Sequence, residues 1–172
     1  MQEYLKIPKD RIAVLIGKNG ETRKKIEELT ETKIGIDSKT GEVDIETKNN
    51  AIDFYISLNI IKAIGRGFSP EHAFMLKDEN YSLEIIDLKE MLGKNEKLIQ
   101  QKKGRVIGKN GKTRNEIEDQ TDSFVSVYGH TISIIGKADG MGKAKKTIKM
   151  LLEGASHSTA EVFLYKEKEI EI

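Results

Sequence analysis

Two stretches of the chain are nearly the same: residues 16–30 read IGKNGETRKKIEELT, and residues 107–121 read IGKNGKTRNEIEDQT. They lie 91 positions apart, and ten of the fifteen positions carry the same residue. A repeat of this length is longer than the unit of a solenoid, whose period lies between about 20 and 50 residues. The sequence therefore contains two copies of one small domain.

Patterns on both sides of the repeated block extend the similarity. Alternating apolar residues, a polar turn and alternating residues again predict a β-hairpin after each block, at 33–36 with 43–45 and at 124–127 with 132–134. Apolar residues at helical spacing follow and end near Gly65 and Gly154. A strand and a short helix precede each block, at 3–7 with 9–16 and at 81–88 with about 96–107. Both copies thus read strand, helix, glycine turn, helix, strand, strand, helix.

The predicted domains are residues 1–68 and 79–155. Residues 69–78 are a linker with a short helix, because Ser69 can cap a helix that has Pro70 at its first position. Residues 156–172 form a C-terminal helix or tail, with Ser158 and Glu161 as a capping box and a possible strand at 169–172. The extra residues 89–101 of the second copy have no role that the pattern assigns.

The composition excludes several kinds of site and indicates few. The 172 residues include no cysteine, which excludes disulfides and Cys-ligated zinc, and the three histidines lie far apart. We therefore expect no metal and no cofactor. No apolar run approaches the roughly 20 residues of a membrane span, and the first residues lack a signal-peptide core, so the expected location is the cytoplasm. A net charge of +1 means that nucleic-acid binding would depend on local clustering of cations.

The two GKNG turns are the candidate binding sites. Each joins two helices, so that exposed amides and a partial positive charge at a helix N-terminus meet a mobile lysine. Glycines without Cβ atoms let a sugar-phosphate chain approach the backbone, which suits single-stranded RNA. The candidate RNA contacts are Gly17, Lys18, Asn19, Gly20, Thr22, Arg23 and Lys33 in the first copy, and Arg105, Gly108, Lys109, Asn110, Gly111, Lys112, Thr113 and Arg114 in the second. Ile16 and Ile107 are candidates for the floor of an adjoining groove for bases.

Some of these candidates have a second interpretation. Arg23 and Arg114 could contact phosphate or pair with Glu27 and Glu118 one helical turn later. Lys33 could face the groove or only solvent. The local charge ranks the copies, because residues 102–114 hold six basic residues and no acidic one, whereas residues 9–25 hold six basic and two acidic residues. We therefore expect the second copy to contribute more RNA affinity.

The order of elements around each GKNG turn resembles the type I KH domain, in which a GxxG loop joins two helices. The resemblance implies an α+β fold of two tandem KH domains, each a three-stranded antiparallel sheet with helices on one face. Both copies carry Arg three positions after the second glycine, at Arg23 and Arg114, where KH domains usually have an aliphatic residue. With the GFSPEHAFML segment at 67–76, this pattern resembles the archaeal partner-of-Nob (Dim/Krr-type) family of ribosome-assembly proteins.

What that resemblance implies is a role in small-subunit assembly, with binding of rRNA near its 3′ end. The implied protein partners are the nuclease that trims this end, a dimethyladenosine transferase and initiation factor two. The alternatives are a KH scaffold that binds only proteins and a general mRNA binder. An enzyme is not expected: residues 136–143 resemble a P-loop, but five residues separate Gly136 from Gly142, and Ala144 stands where Ser or Thr would bind magnesium.

Overall fold

The computed structural model describes residues 1–166, which form two compact units, Met1–Leu83 and a second unit that begins at Glu84. The predicted strand at 169–172 lies outside the described residues. The elements of the first unit are β1 (Gln2–Lys6), α1 (Lys9–Ile16), α2 (Glu21–Thr30), β2 (Lys33–Ile36), β3 (Glu42–Glu46), α3 (Ala51–Gly65) and α4 (Pro70–Ala73). Those that follow are β4 (Tyr81–Asp87), α5 (Leu88–Leu92), α6 (Glu96–Ile107), α7 (Lys112–Thr121), β5 (Phe124–Tyr128), β6 (Thr131–Lys137), α8 (Ala138–Leu152) and α9 (His157–Tyr165).

Each unit holds one three-stranded antiparallel sheet whose central strand comes last in the chain. The strand orders are β1-β3-β2 and β4-β6-β5. Ile34 lies opposite Ile45 in the first sheet, and Val125 lies opposite Ile134 in the second. β2 and β5 are therefore edge strands, and each has one side without a neighbouring strand in its sheet. The α+β fold with two three-stranded antiparallel sheets, which the resemblance implies, is confirmed.

The apolar faces of the helices cover one face of each sheet. Ile26 of α2 and Ile117 of α7 are fully buried, and so are Leu15 of α1 and Val106 of α6. Each such side chain stabilises its unit by about 1.5–3 kcal/mol, because its apolar surface leaves water. The core of the second unit comprises Ile86, Leu88, Ile99, Val106, Ile117, Val125, Ile132, Ile134, Met141, Ala144, Ile148, Leu151, Leu152, Ala160 and Leu164.

The repeat continues past α3 in the first unit and past α8 in the second. α4 and α9 both begin after a serine whose hydroxyl accepts an amide hydrogen bond, from His72 to Ser69 at 3.3 Å and from Thr159 to Ser156 at 3.1 Å. The two serines lie 87 positions apart, and an alanine four residues after each, Ala73 or Ala160, is buried. The segment 69–78, which was predicted as a linker, thus begins with the same kind of serine-capped helix as α9.

The last helix starts two residues earlier than its predicted capping box. Ser156, not Ser158, is the N-cap of α9, and Ser158 lies inside the helix as an exposed residue. The prediction was wrong because both serines precede the same apolar run and only the backbone angles distinguish them. Residues 89–101, which had no predicted role, contain most of α5 and the first half of α6.

Candidate nucleic-acid interface

The two GKNG turns have nearly the same backbone. The first glycine has φ 75° and ψ 172° in Gly17, and φ 73° and ψ 176° in Gly108. Asn19 and Asn110 are both left-handed, at φ 55° and 56°, and the second glycines have φ 75° and 76°. Three of the four residues in each turn thus adopt positive φ, a region that is favourable only for glycine and tolerable for asparagine.

The first glycine of each turn is required for space as well as for its φ. A Cβ atom on Gly17 would lie 2.3 Å from Oγ1 and 2.7 Å from the backbone nitrogen of Thr22. On Gly108 it would lie 2.1 Å from Oγ1 and 2.8 Å from the nitrogen of Thr113. These two threonines, which the sequence offers as RNA contacts, therefore lie against the first glycine and hold the turn in place.

Several turn amides are already bonded within the chain, which corrects the expectation of a fully open amide cluster. The amide of Gly17 donates to the carbonyl of Ala13 at 3.0 Å, and that of Gly20 donates to the carbonyl of Gly17 at 3.2 Å. Glu21 donates to Lys18. The second turn repeats this pattern, with donation from Gly108 to Gly104, from Gly111 to Gly108 and from Lys112 to Lys109. The bond of the first glycine ends the preceding α-helix, and the other two span three residues because each turn closes as a 3₁₀ helix.

The tips of both turns project their polar side chains into solvent. Lys18 and Asn19 are exposed in the first unit, and Lys109 and Asn110 are exposed in the second. Behind the tips, Ile16 and Ile107 are half-buried, in contrast to their fully buried neighbours in the helices. Each turn therefore offers a cation, an amide side chain and a partly open apolar residue within a few positions.

A glutamate on the second helix contacts the edge strand in both units. Oε1 of Glu27 accepts a hydrogen bond from the amide of Ile34 at 2.9 Å, and Oε2 of Glu118 accepts one from the amide of Val125 at 3.2 Å. Because β2 and β5 are edge strands, these amides have no strand partner on that side. The sequence predicted these glutamates only as possible partners of arginine. That both copies carry glutamate at the same position, 91 residues apart, was the signal available for a shared structural role.

The two unusual arginines lie in the first turns of α2 and α7, and Arg114 approaches the glutamate of its helix. Nε of Arg114 lies 3.7 Å from Oε1 of Glu118, which supports the ion-pair interpretation for the second unit. Nε of Arg23 and Nε of Arg114 are both buried without a hydrogen-bond partner. α7 thus places a guanidinium group and a carboxylate beside its edge strand, and α2 places a carboxylate beside β2.

Arg105 takes a structural role that the sequence did not predict. Its Nε donates to the carbonyl of Leu151 at 3.0 Å, and its Nη2 donates to the carbonyl of Ala155. These carbonyls belong to the C-terminal end of α8, where a cation is favourable. The expectation that Arg105 contacts RNA does not fit this geometry, and we leave it out of the proposed contacts.

The remaining candidate cations lie on exposed surface with different neighbours. Lys33 is exposed and lies opposite Glu46 in the sheet, and Lys112 pairs with Glu116 at 3.7 Å across one helical turn. Lys25 places its ammonium group 4.4 Å from the centre of the Phe74 ring. Near the turns, Lys9, Lys18, Lys24 and Lys25 of the first unit are exposed, whereas Lys109 and Lys112 of the second are exposed and Lys102 and Lys103 are half-buried.

The charge order along α2 and α7 opposes the helix dipole. After Glu21, the first residue of α2, the charged residues of both helices run from basic to acidic toward the C-terminus: Arg23, Lys24, Lys25, Glu27, Glu28 and Glu31, then Lys112, Arg114, Glu116, Glu118, Asp119 and Asp122. The dipole favours the reverse order, at about 0.3–1 kcal/mol for each charge near a terminus. Helix stability therefore does not explain the basic start of α7, which has no acidic residue in its first turn.

The parts of the chain that the structure describes hold no cluster of His, Cys, Asp and Glu suited to a metal ion. None of the helices within residues 1–166 is long and apolar enough to cross a membrane.

Comparison with known proteins assigns the family. A model of the KH domain matches residues 2–53, and a model of the eukaryotic type KH domain, KH domain type I, matches residues 82–169. The crystal structure of Dim2p from Pyrococcus horikoshii superposes with a TM-score of 0.89 at 45% identity, covering 97% of this chain and 99% of that one. The chain belongs to the Dim2p family of tandem KH-domain proteins.

Two further relatives support this assignment to the Dim2p family. A KH domain-containing protein of Methanocaldococcus jannaschii is 43% identical over 170 residues, which are 97% of this chain and 74% of that protein. A second structure from Pyrococcus horikoshii, a complex of a/eIF2alpha, aDim2p and rRNA, matches at 47% identity with a TM-score of 0.87. It covers 95% of this chain and 92% of that one.

Proposed function

We propose that this protein binds single-stranded RNA through its two GKNG turns and acts in assembly of the small ribosomal subunit, on rRNA near the 3′ end. The observation that carries the proposal is the pair of turns with the same backbone, each of which exposes a lysine and an asparagine beside a half-buried isoleucine. A relative that is 47% identical forms a complex with rRNA, which supports RNA as the ligand.

In the proposed complex, the RNA backbone binds at the tip of each turn, and the bases bind in the groove beside it. A phosphate of the RNA lies at the tip, near Lys18 or Lys109, where the N-terminal end of α2 or α7 adds a partial positive charge. The bases turn toward Ile16 or Ile107 and the edge strand. One KH unit clamps the backbone of about four nucleotides.

The base-binding side of this proposed site is less apolar than the sequence suggested. The carboxylates of Glu27 and Glu118 occupy the edge amides of β2 and β5, so a base that enters meets a carboxylate acceptor there. Arg114 supplies donors next to the carboxylate of Glu118. A base in the second groove can therefore both donate and accept a hydrogen bond there.

The proposed protein partners follow from the relatives. The structural relative shares its complex with a/eIF2alpha as well as rRNA, and we propose an initiation factor of this kind as a partner. The family resemblance adds the nuclease that trims the rRNA 3′ end and a dimethyladenosine transferase. We propose no catalytic activity for the chain itself.

Two measurements test the proposed function. Filter binding to single-stranded RNA over a salt series should give affinity that falls steeply as salt rises, because the lysines displace counterions. A protein-only scaffold would show little affinity at any salt concentration. Crosslinking in cell extract and sequencing of the bound RNA should recover the 3′ region of the small-subunit rRNA, and recovery of mRNA instead would contradict the ribosomal role.

A further inference from the structure

A cavity of about 440 Å³ lies on the flank of the second GKNG turn, between α6, α7 and α9. It is lined by Gln101 and Arg105 of α6, by the turn itself, by Lys112 and Thr113 of α7, and by His157 and Glu161 of α9. Lys109 and Gly108 belong both to the turn and to the cavity wall. A strand held at the tip of the turn would therefore pass the mouth of this cavity.

The two units differ sharply at the positions that line it. At the positions 91 residues earlier, the first unit has Asp10 where the second has Gln101, Lys18 where it has Lys109, and Glu21 where it has Lys112. Positions 87 residues earlier carry Pro70 for His157 and Phe74 for Glu161. The second unit thus has two lysines and one carboxylate where the first has one lysine and two carboxylates, and it has polar side chains where the first has a proline and a phenylalanine.

The polar groups of the cavity suit a ribonucleotide. Lys109 and Lys112 supply cations for a phosphate. The Nε2 atom of His157 lies 3.0 Å from the carbonyl oxygen of Arg105. Because a carbonyl only accepts hydrogen bonds, Nε2 carries the hydrogen, and Nδ1 of the neutral ring is then an acceptor. A ribose 2′-hydroxyl can donate to Nδ1 or to the carboxylate of Glu161, whereas a deoxyribose cannot.

We propose that this cavity binds one ribonucleotide next to those held by the second GKNG turn, with its phosphate on Lys109 and Lys112 and its 2′-hydroxyl on the acceptors of His157 and Glu161. The inference rests on the proposed RNA-binding function and extends it. It makes the RNA site of the second unit longer than that of the first, and it gives that unit a means to distinguish RNA from DNA.

The test uses the full chain with the first turn inactivated by K18D and N19D, so that binding reports the second unit. Fluorescence anisotropy compares a four-nucleotide RNA with RNAs extended by two nucleotides at the 5′ or the 3′ end. For the unaltered cavity, one of the two extensions should raise the affinity. It should also steepen the plot of log affinity against log salt by about 0.7 for each added phosphate contact. The same extension made of deoxyribose should lose part of the gain.

Two adjacent positions of α9 supply matched variants. His157→Glu places a negative charge in the cavity wall, whereas Ser158→Glu places the same charge on the next residue, which does not line it. His157→Glu should abolish the gain from the extension and keep binding of the four-nucleotide RNA, and Ser158→Glu should keep both. Lys112→Glu, which copies the residue that the first unit has at this position, should also reduce the gain.

Three results would overturn the inference. The first is that His157→Glu and Ser158→Glu reduce the affinity gain from the extension equally. The second is that neither His157→Glu nor Lys112→Glu reduces this gain. The third is that ribose and deoxyribose extensions give the same gain. A cavity that serves an acidic protein segment would give the second of these. If the protein binds no RNA of any length, the proposed function itself fails, and this inference fails with it.

Discussion

The two units build the same turn, but an arginine from a different position caps the C-terminal end of α3 in the first and of α8 in the second. In the first, Arg11 donates from Nε to the carbonyl of Ile64 at 2.8 Å and from Nη2 to that of Phe68 at 2.7 Å. In the second, Arg105 reaches the carbonyls of Leu151 and Ala155. Ile64 and Leu151 lie 87 positions apart, as do Phe68 and Ala155, so the acceptors correspond.

The donors do not correspond. Counted from the shared turn, Arg11 aligns with Lys102, and Arg105 aligns with Val14, which is one helical turn closer to the turn. Positions i and i+3 lie on the same face of a helix, so a long arginine side chain can reach the same carbonyls from either. The comparison shows that the fold preserves a cation at this helix end without preserving the residue number that supplies it.

The largest expected effect is a loss of stability when the first glycine of either GKNG turn is replaced. Gly17→Ala and Gly108→Ala should each destabilise their own unit by about 2–4 kcal/mol, because the new Cβ atom meets Thr22 or Thr113 and φ stays positive. Gly20→Ala and Gly111→Ala, where no backbone atom lies close, should cost only about 1–2 kcal/mol. Hydrogen exchange measured by mass spectrometry reports each unit separately, and equal costs for the first and second glycines would contradict this account.

The next prediction tests the exchange of arginine positions. Arg105→Val should destabilise the second unit by about 2 kcal/mol, since two charge-assisted hydrogen bonds to half-buried carbonyls are lost. Adding Lys102→Arg, which places arginine where the first unit has Arg11, should recover most of this loss in urea denaturation. Lys102→Gln in the same background is the control. No recovery would mean that the two arginines are not equivalent.

The third prediction ranks the two turns as RNA ligands. Replacing Lys109 and Asn110 by aspartate should weaken binding of single-stranded RNA more than the same change at Lys18 and Asn19. The first unit has Asp10 and Glu21 close to its turn, whereas residues 102–114 hold no acidic residue, so the local charge around the second turn is more positive. Affinities measured at one fixed salt concentration decide the matter, and equal losses would remove the ranking.

A smaller effect is expected where a glutamate holds the edge strand. Glu27→Ala and Glu118→Ala should each cost about 0.5–1.5 kcal/mol, because the amide of Ile34 or Val125 loses its acceptor. Glu27→Gln and Glu118→Gln keep an acceptor oxygen and should recover stability. A stability loss as large in glutamine variants as in alanine variants would assign the effect to charge instead.

The smallest predicted effect lies in the hairpin loops. Amides of Lys39 and Thr40 donate to Asp37 and hold the pKa of its carboxyl below the ordinary value of 3.8. Its contribution to stability is therefore present above that value and is lost as pH falls through the lowered pKa. Asp37→Ala should make the first hairpin less stable at neutral pH and less sensitive to acid. An NMR titration that gives Asp37 an ordinary or raised pKa would contradict this.

The elements could be predicted closely because local pattern and tertiary packing agree in them. The helices predicted at 9–16 and about 96–107 have those bounds, and the strand predicted at 33–36 does too. Alternation and helical spacing mark which face will be buried, and the glycines mark where a helix cannot continue. The duplication also made a chance pattern easy to reject, because a pattern that reflects the fold has to occur in both copies.

The roles of individual charged side chains could not be predicted in the same way. Arg105 lies in a run of basic residues that indicated RNA contact, and only the position of the end of α8 shows that its guanidinium is bonded within the chain. The hydrogen bond that the amide of Val125 donates to Glu118 joins a strand edge to a helix residue seven positions earlier, and neither the helical nor the strand repeat predicts that spacing. Charge counts locate a surface but do not say which cations are already bonded.

The order of elements, the duplication and the two glycine turns were determined by the sequence alone, because each depends on backbone freedom and on burial patterns that repeat within a few residues. Which arginine closes a helix end, which glutamate holds an edge strand, and which flank of a turn opens into a polar cavity were decided only by the tertiary structure. These choices depend on distances between groups far apart in the chain. A side chain as long as arginine can satisfy them from more than one sequence position.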